Sequence, residues 1–183
     1  MKLYPLKFKD NFKDKIWGGD SLGKILGRKI SKGEKVGESW ELSEHESGPS
    51  VIANGSLKGR TLTSVVAESP SEILGNNVAA KHKNLPLLFK FIDANDKLSI
   101  QVHPGDEYAG RFENSLGKTE AWYVVHAEKG AKLICGLAKP LTRSDIENGI
   151  KSNTLEKLLR EFEVKAGDCF FVPAGTVHRS EER

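Results

Sequence analysis

The stretch Gly167-Asp168-Cys169-Phe170-Phe171-Val172-Pro173-Ala174-Gly175-Thr176-Val177-His178 carries the strongest structural signal in this 183-residue sequence. A tight Gly-Asp turn precedes a short apolar strand, and Pro173 and Gly175 then bend the chain just before His178. Because proline fixes φ and glycine tolerates unusual backbone angles, such a bend holds one imidazole in a fixed orientation. His178 is therefore a candidate metal-binding or catalytic residue.

A second histidine ends another predicted strand. Gln101 lies in a strand predicted over residues 98–102, and His103 follows it two residues later, directly before Pro104. Residues two apart in a strand face the same side, so these two side chains project together. Polar groups at the end of an apolar strand are costly to bury without partners. This pattern predicts a polar site that faces inward.

Glu120 is the third candidate, because it opens an apolar strand predicted over residues 121–126 after a loop that contains Gly117. Two histidines, one glutamate and a nearby glutamine supply the three nitrogen or oxygen ligands and the open position that a catalytic Zn²⁺ requires. An alternative interpretation stays open, since short motifs have false positives. In it, the two histidines are unrelated loop residues and Glu120 is a solvated strand start.

The remaining pattern predicts a mainly β chain with a helical insert. Apolar or alternating runs predict strands over residues 38–42, 85–92, 98–102, 121–126, 131–135, 162–164 and 169–172. The short turn over 128–130 predicts a hairpin between the strands at 121–126 and 131–135. Helical patterns occur near residues 61–80 and 141–162. Many short strands with segregated helices favour a sandwich or a small barrel.

Composition and charge exclude several classes of function. The chain has 28 Lys and Arg against 25 Asp and Glu, for a net charge of +3. The charges are interspersed, with no basic stripe or base-stacking motif, so no nucleic-acid partner is predicted. No window approaches the roughly 18 apolar residues of a membrane span, so no membrane partner is predicted. With no secretory leader, Cys135 and Cys169 are expected to be reduced, buried thiols in a cytoplasmic protein.

The wider sequence resembles the type I mannose-6-phosphate isomerases, also called phosphomannose isomerases, in their short bacterial form. The Gly167–His178 stretch has the Gly-x5-Pro-x-Gly-x2-His spacing of the second cupin motif. Seven motifs, from residue 4 to residue 178, resemble that family in the same order. They are Tyr4-Pro5-Leu6-Lys7-Phe8, Lys15-Ile16-Trp17-Gly18-Gly19, Gly37-Glu38-Ser39-Trp40-Glu41, Pro86-Leu87-Leu88-Phe89-Lys90, Leu98-Ser99-Ile100-Gln101-Val102-His103-Pro104, Gly117-Lys118-Thr119-Glu120 and Val172-Pro173-Ala174-Gly175-Thr176-Val177-His178.

This resemblance implies a cupin-type β-barrel, or jelly roll. It also implies a zinc-dependent aldose–ketose isomerase that interconverts mannose 6-phosphate and fructose 6-phosphate through a cis-enediol. The substrate partner would be a small sugar phosphate, with one zinc per chain. By position, the implied zinc ligands are His103, Glu120 and His178.

The resemblance also implies pocket residues. Gln101 matches a position that coordinates or lines the metal, Ser99 one near the substrate phosphate, and Trp17 an aromatic at the pocket edge. Lys90 and Lys118 match lysines that line the pocket, as catalytic or phosphate-binding groups. The alternative for each lysine is a solvated surface residue.

The sequence departs from the family pattern after His178, where Arg179-Ser180-Glu181-Glu182-Arg183 replaces apolar strand residues. We expect a single N-terminal catalytic-type cupin domain over residues 1–183, incomplete at its C-terminal end and without the family's C-terminal β-domain. An incomplete barrel exposes strand edges, so self-association through such an edge is expected. Two other functions stay open. One is a catalytically impaired cupin that binds metal or sugar phosphate without efficient turnover, and the other is an isomerase of a different sugar phosphate.

Overall fold

The structure is a computed structural model that describes residues 4–31 and 33–181. Contacts along the chain divide it into two compact units, the first ending at Asp93 and the second beginning at Ala94. Compact units of this kind do not by themselves define domains that fold independently. The expectation of a single domain over residues 1–183 therefore stays a prediction.

The first unit is built on an antiparallel sheet with the strand order β1-β2-β3. Its elements in chain order are β1 (Phe12–Gly19), α1 (Ser21–Leu26), β2 (Val36–Leu42), α2 (Leu62–Glu68), α3 (Pro70–Leu74), α4 (Asn76–Ala79) and β3 (Phe89–Ile92). The central strand β2 places Trp40 opposite Lys90 on β3. Buried Ile52, Leu57 and Val65 form a hydrophobic core in this unit.

The helical pattern near residues 61–80 forms three short helices, α2 to α4. Thr61 caps α2, because its hydroxyl accepts a hydrogen bond from the Ser64 N–H at 3.2 Å. Pro70 begins α3 at a position where its missing N–H would have no helical partner. The run predicted over 85–92 is a strand only from Phe89 onward.

The second unit contains two further sheets, with strand orders β4-β7 and β6-β5-β8. Its elements in chain order are α5 (Asp106–Phe112), β4 (Glu120–Tyr123), β5 (Lys132–Leu137), α6 (Arg143–Lys151), a 3₁₀-helix (Leu155–Leu158), β6 (Leu159–Glu163), β7 (Cys169–Val172) and β8 (His178–Glu181). The mainly β prediction is confirmed. Within the described residues, none of the three sheets closes into a barrel.

The hairpin predicted between residues 121–126 and 131–135 is wrong. Strand β4 pairs with β7, so that Glu120 lies opposite Val172, whereas β5 pairs with β6 and β8. Trp122 and Val124 pack against a buried cluster of Ala131, Leu133 and Val164. The turn therefore carries the chain from one sheet to a neighbouring one. An alternating pattern marks the buried face of a strand without specifying its hydrogen-bonded neighbour.

Two predicted elements differ in extent. Residues 98–102 form an isolated bridge, Gln101 to His178, in place of a continuous strand. The helical segment predicted over 141–162 ends before Leu159, which pairs with Leu137 and begins β6. Here sheet pairing overrides local helical preference.

The cysteine prediction is also corrected. Cys135 and Cys169 are free, but Cys135 is only half-buried, and Cys169 lies exposed on the outward face of β7. No helix among the described residues is long and apolar enough to cross a membrane.

Candidate metal centre

Three side chains expected as metal ligands come together in the second unit. The possible ligand atoms of His103, Glu120 and His178 lie within 4.8 Å of one another. The Nε2 atom of His103 lies 3.6 Å from Glu120 Oε1, and that of His178 lies 3.5 Å from Glu120 Oε2. In the part of the chain that the structure describes, this is the one group of three or more His, Cys, Asp or Glu side chains arranged to hold a metal ion.

His178, the first residue of β8, is buried, and its side chain is only 1% exposed. Its Nδ1 atom lies 2.8 Å from the carbonyl oxygen of Thr176. Because that oxygen can only accept, Nδ1 carries the proton and Nε2 presents a lone pair toward Glu120. This buried Nε2 has no hydrogen-bond partner among the described residues. A buried nitrogen left in this state is costly unless it binds something else, so the donor set fits a metal ion.

The bend before His178 also orders the other two ligand segments. Gly175 has a φ of +85°, and its N–H donates to the carbonyl of His103 at 2.8 Å. The N–H of Ala174 donates to the Thr119 hydroxyl at 3.2 Å, next to Glu120. One short bend, shaped by proline and glycine, thus touches all three ligand segments.

Gln101 and His178 form a mutual backbone pair. The Gln101 N–H donates to the His178 carbonyl at 3.1 Å, and the His178 N–H donates back at 3.0 Å. Residues paired in this way place their side chains on the same face, only a few ångströms apart. His103 follows two residues later, and its side chain is 18% exposed. The bridge therefore places Gln101 beside His178, whereas His103 lies outside the bridge, and the shared face predicted for Gln101 and His103 stays a prediction.

Glu120 is positioned by the preceding loop. The N–H of Lys118 donates to the carbonyl of Pro104 at 3.0 Å. A side chain at Gly117 would lie less than 3.0 Å from backbone atoms of Pro104, Gly105 and Asp106. Only glycine allows this close approach, which joins the segment after His103 to the one that carries Glu120.

The Lys118 ammonium group lies between two of the candidate ligands. Its Nζ atom is 2.9 Å from Glu120 Oε1 and 3.0 Å from His103 Nε2. Burial acts to raise the pKa of Glu120, but the hydrogen bond and charge of Lys118, with smaller effects of the two histidines, hold that pKa below its usual value. The carboxylate is therefore ionised, as a metal ligand must be.

Three other residues expected at the site are Ser99, Lys90 and Trp17. Ser99 is exposed, two residues before Gln101. Lys90 and Trp17 belong to the first unit, where the Lys90 ammonium group donates to Glu38 Oε1 at 2.8 Å and Trp17 is half-buried on β1. The roles expected of all these residues stay predictions.

Sequence reasoning missed Trp122. Its indole N–H donates to Glu120 Oε2 at 3.2 Å, and its ring meets the His178 ring edge to face at a centroid distance of 5.3 Å. A signal was present, because Trp122 follows Glu120 by two residues and so shares its strand face.

Comparison with known proteins gives a consistent result. A family model described as the catalytic domain of type I phosphomannose isomerase matches residues 5–131, which include His103 and Glu120. Mannose-6-phosphate isomerase from Streptococcus mutans is 43% identical over 174 residues, covering 95% of this chain and 53% of that protein. Mannose-6-phosphate isomerase ManA from Bacillus subtilis is 42% identical over 179 residues, covering 97% of this chain and 55% of that protein.

Solved structures agree with this relationship. The crystal structure of mannose 6-phosphate isomerase from Bacillus subtilis superposes with a TM-score of 0.88 at 38% identity, covering 97% of this chain and 55% of that one. A putative mannosephosphate isomerase from Archaeoglobus fulgidus gives a TM-score of 0.82 at 26% identity, covering 99% and 59%. The cupin-type fold expected from the sequence is thereby confirmed. The chain spans about half the length of the curated relatives it matches. It belongs to the type I phosphomannose isomerase family.

Proposed function

We propose that this chain carries the metal centre of a zinc-dependent isomerase that interconverts mannose 6-phosphate and fructose 6-phosphate through a cis-enediol. The observation that carries the proposal is the cluster of His103, Glu120 and His178, with its buried and unpartnered Nε2 atom. Relatives named mannose-6-phosphate isomerase support the choice of substrate.

The distances between the carboxylate and the two imidazoles support a metal ion such as zinc. Tetrahedral zinc with bonds of about 2.1 Å places its ligand atoms roughly 3.4 Å apart. Each histidine nitrogen lies near that distance from one oxygen of Glu120, at 3.6 Å from Oε1 for His103 and 3.5 Å from Oε2 for His178. Three protein ligands leave a further position open, with Gln101 on the same face of the bridge. When bound, zinc would act as a Lewis acid on the sugar oxygens at C1 and C2 and make the C–H proton at C2 more acidic.

The chain itself must move one proton between C2 and C1 of the sugar. A base removes the proton from C2 of the aldose and O1 takes up a proton, which gives the cis-enediol. Loss of the O2 proton with protonation at C1 then gives the ketose. Lys118 and Lys90 are the two candidates for this role. Lys118 is held beside the centre by Glu120 and His103 and remains 43% exposed, so that a substrate can reach it. As the base it would act in its neutral form, because an ammonium group has no lone pair to accept a proton.

The second lysine would then bind the phosphate, because an ammonium group is a compact cation with three donors. Ser99 has an exposed side chain two residues from Gln101, and its hydroxyl is proposed as a further hydrogen-bond donor to the phosphate. Trp17 is proposed as an aromatic wall of the pocket. These assignments follow the family positions.

The test is a coupled assay for conversion of mannose 6-phosphate to fructose 6-phosphate by the purified chain. The chain is treated with a chelator and then assayed with and without added zinc. Turnover that disappears with the chelator and returns with zinc is expected. Glu120→Gln is the matched control and should fail to recover with zinc. A folded chain that binds zinc but never turns over would instead favour the alternative, a cupin that binds metal or sugar phosphate without catalysis.

A further inference from the structure

We propose that Trp122 is a positioning residue of the metal centre, which sets the Glu120 carboxylate and the His178 ring for metal binding. The inference rests on the metal centre proposed above. It assigns a function to a residue that belongs to neither the ligands nor the candidate catalytic lysines.

The carboxylate of Glu120 is held at both oxygens. The Trp122 indole N–H donates to Oε2 at 3.2 Å, while the Lys118 ammonium group donates to Oε1 at 2.9 Å. Two donors on opposite oxygens restrict rotation of the carboxylate plane. Of the two, only the indole is fixed in place, because Lys118 is 43% exposed and has a long flexible stem.

The His178 ring is held from two sides as well. Its Nδ1–H donates to the Thr176 carbonyl, and the indole of Trp122 packs against the ring at an interplanar angle of 74°. Edge-to-face contacts between aromatic rings have a preferred geometry and resist tilting. The remaining freedom of the ring is small, and its Nε2 stays directed toward Glu120 Oε2 at 3.5 Å.

The indole is itself anchored in the core of the second unit. Trp122 lies opposite Phe170 on β7 and packs against the buried cluster of Ala131, Leu133 and Val164. One rigid side chain therefore connects a packed core with two of the three candidate ligands. Groups that orient metal ligands typically change metal affinity by 10- to 100-fold when they are removed.

Trp122→Phe tests the inference, because it keeps an aromatic ring in the core and removes the N–H donor. Zinc affinity is measured by competition with a chromophoric chelator, and the absorption of bound Co²⁺ reports ligand geometry. We expect zinc affinity about tenfold weaker and a changed Co²⁺ spectrum. Trp40→Phe is the matched control, since Trp40 makes the same bond to Glu38 in the first unit. It should leave zinc affinity unchanged.

A second measurement uses the unsubstituted chain and so does not depend on how a variant folds. The chain has three tryptophans, and each contributes one indole N–H resonance in a ¹⁵N-labelled sample. Zinc binding to Glu120 changes the charge on the oxygen that Trp122 contacts. The Trp122 resonance should therefore move on titration with zinc, whereas the Trp40 resonance should stay in place.

The outcomes separate the two proposals. If the unsubstituted chain binds no zinc, the metal centre and the role of Trp122 are both overturned. If it binds zinc but Trp122→Phe binds it equally well, or the Trp122 resonance does not move, only the role of Trp122 is overturned. If Trp40→Phe weakens binding as much as Trp122→Phe does, the effect is one of general stability and the inference again fails.

Discussion

Each compact unit of this chain contains a glutamate held between a tryptophan and a lysine. In the first unit, Glu38 accepts from the Trp40 indole and from Lys90, both at 2.8 Å. In the second, Glu120 accepts from the Trp122 indole at 3.2 Å and from Lys118 at 2.9 Å. Both tryptophans follow their glutamate by two residues, which places the two side chains on one strand face. We call these the Glu38 cluster and the Glu120 cluster.

The two clusters differ in what surrounds the carboxylate. The Glu120 cluster has two histidine nitrogens within 3.6 Å of the carboxylate oxygens. Near the Glu38 cluster, His45 packs against the Trp40 ring at a centroid distance of 5.7 Å, in a contact much like that of His178 with Trp122. Among the described residues, His45 belongs to no group arranged to hold a metal ion. The Lys90 side chain is 19% exposed and that of Lys118 is 43% exposed. The same hydrogen bonds thus form a buried ion pair in one unit and part of a candidate metal centre in the other.

The largest difference in zinc affinity is expected when the histidine beside each tryptophan is replaced. His178→Ala removes a buried ligand and should weaken zinc binding by more than about 100-fold, because fewer ligands remain than a stable zinc site needs. His45→Ala removes the corresponding ring beside Trp40 and should leave zinc affinity unchanged. Chelator competition measures both. Equal zinc affinity in the two variants would remove the distinction between the clusters.

Replacement of the two carboxylates should affect stability in the opposite order, with a larger loss in the Glu38 cluster than in the Glu120 cluster. Glu38→Gln leaves the poorly exposed Lys90 without its partner, and it should cost about 3 kcal/mol of unfolding free energy. Glu120→Gln leaves a lysine that water can reach, and in the absence of metal it should cost about 1 kcal/mol or less. Urea denaturation of the metal-free proteins gives both values. A larger loss for Glu120→Gln would mean that burial of the lysine does not decide the cost.

Glycines near the two clusters provide a third comparison. Gly117→Ala would press against backbone atoms of Pro104, Gly105 and Asp106 in the segment after His103, and Gly37→Ala against the side chains of Lys15 and Trp17. Each should cost about 1–3 kcal/mol by overpacking. Only Gly117→Ala should also weaken zinc binding. Gly110→Ala, which has open space around it inside α5, is the control: it should stabilise the fold by about 1 kcal/mol or less and leave zinc affinity unchanged.

The smallest expected effect is a pH dependence of the Glu38 cluster. Burial acts to raise the pKa of Glu38, but the hydrogen bonds from Lys90 and Trp40 and the charge of Lys90 hold it below the usual value of 4.5. The ionised carboxylate therefore stabilises the fold fully above about pH 4.5. That contribution is lost as the pH falls through the lowered pKa. The stability difference between the unsubstituted chain and Glu38→Gln should shrink over this range in urea titrations. A constant difference would contradict the assignment.

Much of the candidate site was accessible from the sequence. The Pro173–Gly175 bend is a local feature, and it is present in the folded chain because it depends on the backbone geometry of a few neighbouring residues. Trp122 was equally accessible by its spacing from Glu120, but a tryptophan in an apolar strand looks like an ordinary core residue. Its second function became visible only through the bond from its indole N–H to Glu120.

The pairing of the strands could not be predicted from the sequence in the same way. The residues after β4 were expected to turn back into β5, yet β4 pairs with β7 and the intervening turn leads to another sheet. Short strands of similar composition can satisfy their hydrogen bonds with several neighbours, and in the folded chain β4 pairs with β7 so that Trp122 lies opposite Phe170.

Residue type and spacing were enough to identify a mainly β chain of this family, the candidate ligands and the glycines and proline that orient them, because each depends on a few neighbouring residues. Whether a carboxylate becomes an ion pair or part of a metal centre depends on residues far apart in the chain. Glu38 and Glu120 share the local pattern of a glutamate followed two residues later by a tryptophan, and what separates them is the approach of His103 and His178 to Glu120. That approach is set by the bridge from Gln101 to His178 and by the bend at Gly175, which are contacts between distant segments.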